Sequence, residues 1–315
     1  MLIALSGGVL AGCGGGSASP SAPGTVTTDR LPAGTTITVV SGETAEAVGG
    51  ARLVVAGRTL QADGRGQATL TEAVSVGSLV DVVAAGFLDR QTLVRSDRLT
   101  RYVLWPRTSA SGVDETFTAE IVYTAGTLTP PASGSTPLRR LRAGTTRAYL
   151  VVSEQIHIDD GANAAHEAAV NAINEALRGR VVYALAPSRP SEGVVFESRV
   201  DPNDQDCQGG QVRAFATVFL TGSEITGGRM VFCGLDAART ATVAHELGHT
   251  FGLQHSPDTR ELMYMAFSAS RNARFGDRES LAMQLLLERR GGNRFPDSDR
   301  DVSTSAERTL TIACP

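Results

Sequence analysis

The chain has little of several things that large classes of proteins need. Its 315 residues contain no lysine, one tryptophan, four cysteines and five histidines, and aromatic residues make up 5%. All 29 basic residues are therefore arginine, against 33 acidic residues, and the net charge is −4. This balance provides no positive field of the kind that a phosphate backbone attracts, so we expect no nucleic-acid partner. We interpret the missing lysine as a coding bias and not as a functional signature.

The sequence also lacks a membrane-spanning run, because no stretch of about 18 uninterrupted apolar residues occurs in it. With 42% hydrophobic and 20% charged residues, the chain can nevertheless bury one full core, and we expect two. This composition argues against wholesale disorder.

The first twelve residues form a short apolar segment that ends in small residues directly before Cys13. Such a segment is a processing signal and not a span. Residues 10–13, Leu-Ala-Gly-Cys, resemble the lipobox of bacterial lipoproteins, whose cysteine is acylated and becomes the new N-terminus. The resemblance implies a signal peptide over 1–12 and a lipid anchor on Cys13 that binds the membrane. The alternative is that Cys13 is an ordinary residue of a cleaved secretory signal.

Two details bear on this lipoprotein interpretation. No basic residue precedes the apolar segment, which leaves open a start codon upstream of Met1. Gly14 and not aspartate follows the cysteine, which favours the outer membrane in diderm lipoproteins. We therefore expect a monomer in the bacterial cell envelope, anchored by lipid to the outer membrane, or else secreted.

Three further cysteines, Cys207, Cys233 and Cys314, would lie in a compartment where disulfides persist. Because three is an odd number, one of them must be free or paired elsewhere. We favour a disulfide between Cys207 and Cys233, although spacing alone does not fix the connectivity.

The first part of the chain after the lipobox divides into two segments. Residues 13–34 are small, polar and interrupted by proline, which predicts a flexible tether. Residues 35–107 carry short β-rich runs between turns, which is typical of a small all-β sandwich domain. The sequences GARLVV at 50–55, DGRG at 63–66 and AAGF at 84–87 resemble the carboxypeptidase-regulatory, transthyretin-like β-sandwich family. The resemblance implies a spacer without chemistry of its own.

Residues 108–145 form a proline-containing linker with a strand-like segment at 116–123. From 146 to 315, strand and helix patterns alternate, which predicts an α/β (α+β) domain. The predicted helices cover 162–177, 237–251 and 278–289, and the predicted strands cover 148–152, 181–185, 193–197, 212–220 and 229–233.

The chemistry is concentrated in residues 245–255, which hold three of the five histidines in the pattern His-Glu-x-x-His-x-x-Gly-x-x-His. On a helix, His245 and His249 project from the same face, so both imidazoles reach one tetrahedral ion about 2.0 Å away. Glu246 lies between them, where its carboxylate takes a proton from water at the metal without being a ligand.

Gly252 falls where this helix must stop and turn, which favours a residue that tolerates a positive φ. The turn brings His255 back as the third ligand, and three imidazoles leave the fourth position open, as in catalytic zinc sites. A structural zinc is normally closed by four protein ligands. The alternative is a chance pattern on a surface helix. For His157 and His166 we expect ordinary surface or hydrogen-bonded roles.

This window resembles the metzincin clan of zinc metalloendopeptidases. A second metzincin signature, a methionine in a turn beneath the histidines, fits Met263 within Glu-Leu-Met-Tyr, with Met265 as the less favoured choice. Ser256 after the third histidine and the Leu-Met-Tyr form of the turn are most similar to the matrixin branch. The resemblance covers about 146–290 and implies a twisted sheet over an active-site helix and one catalytic Zn2+.

Three features depart from matrixins. No matrixin-type Cys-switch propeptide is visible, Met265 replaces the usual proline after Leu-Met-Tyr, and the acidic loop for calcium and structural zinc is not recognisable. Acidic clusters at 201–206 and 297–301 lack the spacing of an EF-hand. We favour solvated loops for both clusters, and Ca2+ stays an unsupported cofactor.

We therefore predict a zinc-dependent endopeptidase that hydrolyses extended protein or peptide substrates at the cell envelope. The resemblance implies that substrate lies along the edge strand, which we place within 212–220, through main-chain hydrogen bonds. One alternative is a catalytically idle adhesin with a structural zinc, and Glu246 argues against it because zinc binding does not require that residue. Another is a hydrolase of small amides, which would lack a long open edge strand.

Overall fold

The structure is a computed structural model that describes residues 29–95, 100–123, 137–208, 210, 212–266, 273–299 and 307–314. The predicted signal peptide, Cys13, most of the predicted tether and residues 124–136 of the predicted linker lie outside these residues. Among the helices that the structure describes, none combines the length and the apolar character that a membrane crossing needs. The lipid anchor therefore stays a prediction.

The N-terminal region is built from strands. These are β1 (Arg30–Leu31), β2 (Thr36–Ser41), β3 (Arg52–Val55), β4 (Arg58–Gln61), β5 (Gln67–Thr69), β6 (Val74–Ser75), β7 (Leu79–Val83), β8 (Arg90–Leu93) and β9 (Arg101–Leu104). One sheet has the order β5-β2-β9, a second has the order β4-β3-β7-β8, and β1 pairs with β6. Strands β2 and β9 are parallel, whereas the other pairs are antiparallel.

Both larger sheets of this region contribute to one hydrophobic core. Ile37 and Val39 of β2 and Val80 and Val82 of β7 are fully buried within it. Because successive residues of a strand point to opposite faces, this alternation turns one face of each sheet inward. The similarity to the transthyretin-like family stays a prediction.

The segment at 116–123, for which we predicted strand-like structure, is helical, so that prediction was wrong. Helix α1 (Glu115–Thr118) is followed by a π-helical turn over Ala119–Tyr123. The carboxylate of Asp114 caps the helix by accepting a hydrogen bond of 2.7 Å from the backbone N–H of Phe117. The apolar run is buried here, and a short buried run does not distinguish strand from helix by its periodicity.

The C-terminal region, from residue 137 onward, mixes strands and helices. Its elements are β10 (Arg140–Leu141), β11 (Arg147–Val152), α2 (Glu154–His157), α3 (Asp160–Leu177), β12 (Val182–Ala186), β13 (Val194–Val200), β14 (Ala214–Thr221), β15 (Glu224–Phe232), α4 (Thr240–Phe251), α5 (Asp277–Leu286) and β16 (Glu307–Cys314). Helix α4 packs against β14, β15 and α3, and α3 itself packs against β12. The His-Glu-x-x-His motif therefore lies against the sheet, beside a second helix.

One seven-stranded sheet organises this region, in the order β12-β11-β13-β15-β14-β16, with β10 beside β15. Strands β12, β11, β13 and β15 are parallel, and β14 runs antiparallel to β15. Strand β16 pairs antiparallel with the whole of β14, from Ala214 opposite Cys314 to Thr221 opposite Glu307. We predicted an open edge strand within 212–220, and this was wrong, because the unpredicted strand β16 covers it.

A buried polar cluster joins the two regions. We call Arg90, Thr92, Arg289, Asn293, Asp297 and Asp299 the Arg289 cluster. The guanidinium of Arg289 donates two hydrogen bonds of 2.7 Å to Asp297, and Thr92 of β8 donates one of 2.7 Å to Asp299. Both carboxylates are 1% exposed, so the predicted solvated loop was wrong for Asp297 and Asp299, whereas Asp301 lies outside the described residues. They turn inward because arginine compensates their charge.

Candidate metal centre

Helix α4 ends abruptly at Gly252. The glycine has a φ of 120°, and its N–H donates to the carbonyl oxygens of Gly248 and His249. A Cβ atom at this position would lie 2.4 Å from the backbone oxygen of Arg139. Both the conformation and the lack of space therefore require glycine, and the turn directs the following residues back to the helix.

The backbone orients the two helical imidazoles. Nδ1 of His245 lies 2.7 Å from the carbonyl oxygen of Leu262, and Nδ1 of His249 lies 2.9 Å from that of Leu253. Because a carbonyl oxygen only accepts, each Nδ1 carries a proton and each Nε2 presents a lone pair. The two Nε2 atoms are 3.0 Å apart. Two acceptors at this distance repel each other unless a cation lies between them, which is the arrangement of metal-binding histidines.

A fourth ligand atom completes the group. The Sγ atom of Cys314 lies 3.2 Å from Nε2 of His245 and 3.5 Å from Nε2 of both His249 and His255. We call these four residues the metal cluster, and their ligand atoms all lie within 4.8 Å of one another. A tetrahedral zinc with Zn–N of about 2.0–2.1 Å and Zn–S of about 2.3 Å separates its ligands by about 3.3–3.6 Å. The separations of 3.0–3.5 Å are close to these values, and small side-chain shifts would bring the remaining ligand atoms, which lie within 4.8 Å of one another, to one zinc ion.

Cys314 lies beside the three imidazoles, where we predicted an open fourth position. His245, His249 and His255 do come together, and Cys314 arrives from β16, at the far end of the sheet order. Sequence reasoning missed this residue because no local spacing links it to the motif. The only signal was the odd number of cysteines.

The carboxylate of Glu246 is fully buried beside the metal cluster. Neither of its oxygens accepts a hydrogen bond of good geometry from the described residues. Burial raises the pKa of Glu246 to about 8, and the neighbouring Cys314 thiol lowers it in part. Burial also lowers the pKa of His249 well below its ordinary value and that of His255 to about 4. Both imidazoles are therefore neutral, as metal ligands must be.

Met263 lies directly beneath the helix. A Cβ atom on Gly248 would be 2.3 Å from its Sδ atom, so the two residues are in close contact. The backbone N–H of Met263 donates to Oε1 of Glu279 at 2.7 Å, and its carbonyl accepts from Ser256 at 2.8 Å. Glu279 of α5 therefore holds the methionine turn in place. The sequence offered no spacing that would have singled it out.

Other residues named from the sequence lie apart from the metal cluster. His166 is buried, with Nδ1 2.7 Å from the carbonyl of Ala162 and Nε2 2.8 Å from Oγ of Ser198, and His157 is exposed. Cys207 and Cys233 form a disulfide that connects the segment after β13 to the end of β15.

The acidic cluster at 201–206 is arranged around an arginine. Asp201 and Asp204 each lie within 3.2 Å of the Arg199 guanidinium. Their charge is compensated by that contact, and the described residues give calcium no further support.

The buried Glu246, the clustered imidazoles and the methionine turn are together similar to a zinc metallopeptidase centre. Residues 196–284 match the Matrixin family, and this match covers less than half of the chain. Among the solved structures that match is high choriolytic enzyme 1, a hatching-enzyme zinc protease from the medaka Oryzias latipes. The identity is 12%, the match covers 47% of this chain and 94% of that chain, and the TM-score is 0.31. No curated protein gives a significant match.

Proposed function

We propose that this protein is a zinc-dependent endopeptidase that hydrolyses extended protein substrates at the bacterial cell envelope, where a lipid on Cys13 anchors it. The observation that carries the proposal is Glu246, a fully buried carboxylate without a good hydrogen-bond donor, next to a preformed ligand set. Burying such a group is costly. A role in proton transfer would explain why this carboxylate is buried despite that cost.

Zinc held by the histidines would supply a Lewis acid that polarises a peptide carbonyl and acidifies water. Glu246 then accepts a proton from the attacking water as the oxygen bonds to the carbonyl carbon. When the C–N bond breaks, the same carboxyl passes that proton to the leaving amine. The backbone contacts of His245 and His249 keep both imidazoles oriented throughout this exchange.

Strand β14 would provide the surface for substrate. The backbone groups of its eight residues, Ala214–Thr221, on the side away from β15 pair with β16 in the structure, so a substrate binds them only after β16 leaves. An extended peptide binds such a row by main-chain hydrogen bonds, with little dependence on its sequence. A strand of this length beside the metal cluster, once released from β16, supports proteins and peptides as substrates over small amides.

The second candidate is a catalytically inactive adhesin in which zinc only stabilises the fold. One observation favours it, because four protein ligands including a cysteine are typical of structural zinc. Glu246 opposes it, since a structural zinc needs no buried carboxylate beside the ligands.

The test is internal cleavage of an unfolded protein, analysed by mass spectrometry of the fragments. We would compare the purified chain and its Cys314→Ser form, each with and without Glu246→Gln. We expect the Cys314→Ser form to cut internally, a chelator to abolish cutting, and Glu246→Gln to slow it by about 10²–10⁴-fold. Bound zinc should stay at one ion per chain in all four proteins.

Glu167→Gln is the matched control, because Glu167 is exposed on α3 and lies outside the centre. It should leave the rate unchanged. Equal cleavage by the Glu246→Gln form would show that a contaminant is responsible. If no form cuts although each binds zinc, the adhesin is correct.

A separate experiment tests the anchor. Cys13→Ala should move the chain from the membrane fraction to the soluble fraction and prevent incorporation of labelled fatty acid. A chain that fractionates identically with and without Cys13 would contradict the lipoprotein proposal.

A further inference from the structure

Strand β16 occupies the place that an extended substrate would take. It pairs antiparallel with β14 over all eight residues of that strand. One row of backbone N–H and C=O groups pairs with only one strand at a time. A peptide substrate on the same side of β14 would therefore have to displace β16.

The register of β16 sets where Cys314 points. Ile312 and Cys314 are buried, whereas Thr311 and Ala313 are exposed, as a period of two requires. The carbonyl of Cys314 also accepts a hydrogen bond of 3.0 Å from the backbone N–H of Arg213. The strand pairing thus fixes Cys314 with its sulfur at the three imidazoles.

We propose that Cys314 is a fourth zinc ligand through its thiolate, and that β16 keeps the peptidase latent by filling both the metal's last position and the substrate strand. The second half of this statement rests on the proposed function. Thiolate sulfur is a preferred zinc ligand, and the thiol gives up its proton when it binds. Glu246 then faces sulfur at the position where the reaction needs water.

Because β16 is part of the same chain, it can inhibit strongly without a high intrinsic affinity for the site. A group held on the same chain acts at an effective concentration of about the millimolar range or above. A substrate must compete with that concentration at two places, the metal and the edge of β14. We therefore expect the latent chain to be slower than the released form by about ten-fold or more.

The first experiment tests the ligand without measuring activity. Cobalt would replace zinc in the parent chain and in Cys314→Ser. The parent should show a thiolate-to-cobalt charge-transfer absorption that the variant lacks, while both bind one metal ion. Alkylation of Cys314, followed by peptide mass spectrometry, should be at least ten-fold slower with zinc than after chelation.

A parent spectrum without thiolate absorption would overturn the ligand assignment. If burial alone protects Cys314 from alkylation, the spectrum still shows whether its thiolate binds the metal.

The second experiment tests latency by comparing cleavage rates of metal-loaded proteins. Cys314→Ser should cut at least ten-fold faster than the parent, and a chain ending before Glu307 should be at least as fast if it folds. Thr309→Ser is the matched control, because Thr309 lies on the exposed face of the same strand. It should behave as the parent does.

Equal rates for the parent and Cys314→Ser would refute latency and leave the endopeptidase standing. If the thiolate absorption is present but no form cleaves protein, the proposed function fails and Cys314 is a structural ligand.

Discussion

The metal cluster and the Arg289 cluster are both buried groups of polar side chains, yet they differ in how their charge is compensated. In the Arg289 cluster two arginines face two aspartates, and the Arg289 guanidinium also lies 5.5 Å from the centre of the Trp105 ring. The metal cluster instead brings three imidazoles and a thiol together beside the buried carboxyl group of Glu246.

The difference teaches which buried polar group is structural and which is functional. The Arg289 cluster balances its own charges, although Nε of Arg90 and Nη1 of Arg289 lack partners among the described residues. Its acceptors and donors connect the N-terminal region to the C-terminal region. The metal cluster directs the Nε2 atoms of His245 and His249 and the sulfur of Cys314 to one centre, which is a ligand set that zinc prefers.

Breaking the Arg289 cluster should have the largest effect on stability. Asp297→Ala leaves the buried guanidinium of Arg289 without its carboxylate, and we expect the free energy of unfolding to fall by about 3–5 kcal/mol. Urea unfolding measures the change. Asp236→Ala is the control, because its pair with Arg213 has a similar distance of 2.8 Å but is exposed. That change should cost about 1 kcal/mol or less. Equal losses in the two variants would contradict the comparison.

Glu279 is an intermediate case. It is a buried carboxylate whose hydrogen-bond donors are backbone N–H groups. Burial raises its pKa from 4.5 to about 7. Between these values the unfolded chain releases the proton while the folded chain keeps it. The free energy of unfolding should therefore fall as pH rises across this window, by up to about 3 kcal/mol from this residue.

The difference between parent and Glu279→Gln unfolding curves isolates this contribution, because the amide does not titrate. Parallel pH dependences in the two proteins would show that Glu279 is not the source.

Removing zinc tests the metal cluster directly. Zinc present at 100 times its dissociation constant stabilises a folded chain by about 2.7 kcal/mol. A chelator should remove that contribution, and calorimetry of the loaded and stripped chain measures it. Asp297→Ala should lose the same increment as the parent, because the two clusters share no residues. A stripped chain of unchanged stability would argue against a metal in this cluster.

Gly248→Ala should have the smallest effect. The new Cβ would lie 2.3 Å from Sδ of Met263, but that atom is at the flexible end of its side chain. Alanine also favours the helix by about 1 kcal/mol. We expect a net loss of about 1–2 kcal/mol in unfolding free energy and weaker zinc binding. A titration with a zinc-sensitive dye checks the second effect, and unchanged affinity would place Met263 outside the support of the ligands.

The local parts of the candidate site could be predicted from the sequence, and the long-range parts could not. His245 and His249 share a face of a helix because of their spacing alone, and Gly252 stops that helix through its own backbone freedom. Cys314 lies 59 residues after His255 and reaches it only because β16 pairs with β14. No sequence pattern within either segment predicts the pairing of β16 with β14.

The same limit explains the errors elsewhere in the fold. Asp299 belongs to an alternating acidic run that is typical of solvated loops, but its partner Thr92 is 207 residues away. The buried run at 116–123 was apolar enough for either helix or strand, and the Asp114 cap decides for helix. Burial by a distant segment determines both cases, and local sequence does not report it.

The covering of β14 by β16 has a consequence for how copies of this protein behave together. An uncovered strand of eight residues is a template on which another chain can add, and proteins generally avoid exposing one because it seeds aggregation. A molecule that releases β16 to admit substrate, as we propose, would also expose that template to its neighbours. Release of β16 would therefore favour activity but reduce solubility. The form in which β16 covers β14 is the one suited to high local concentration.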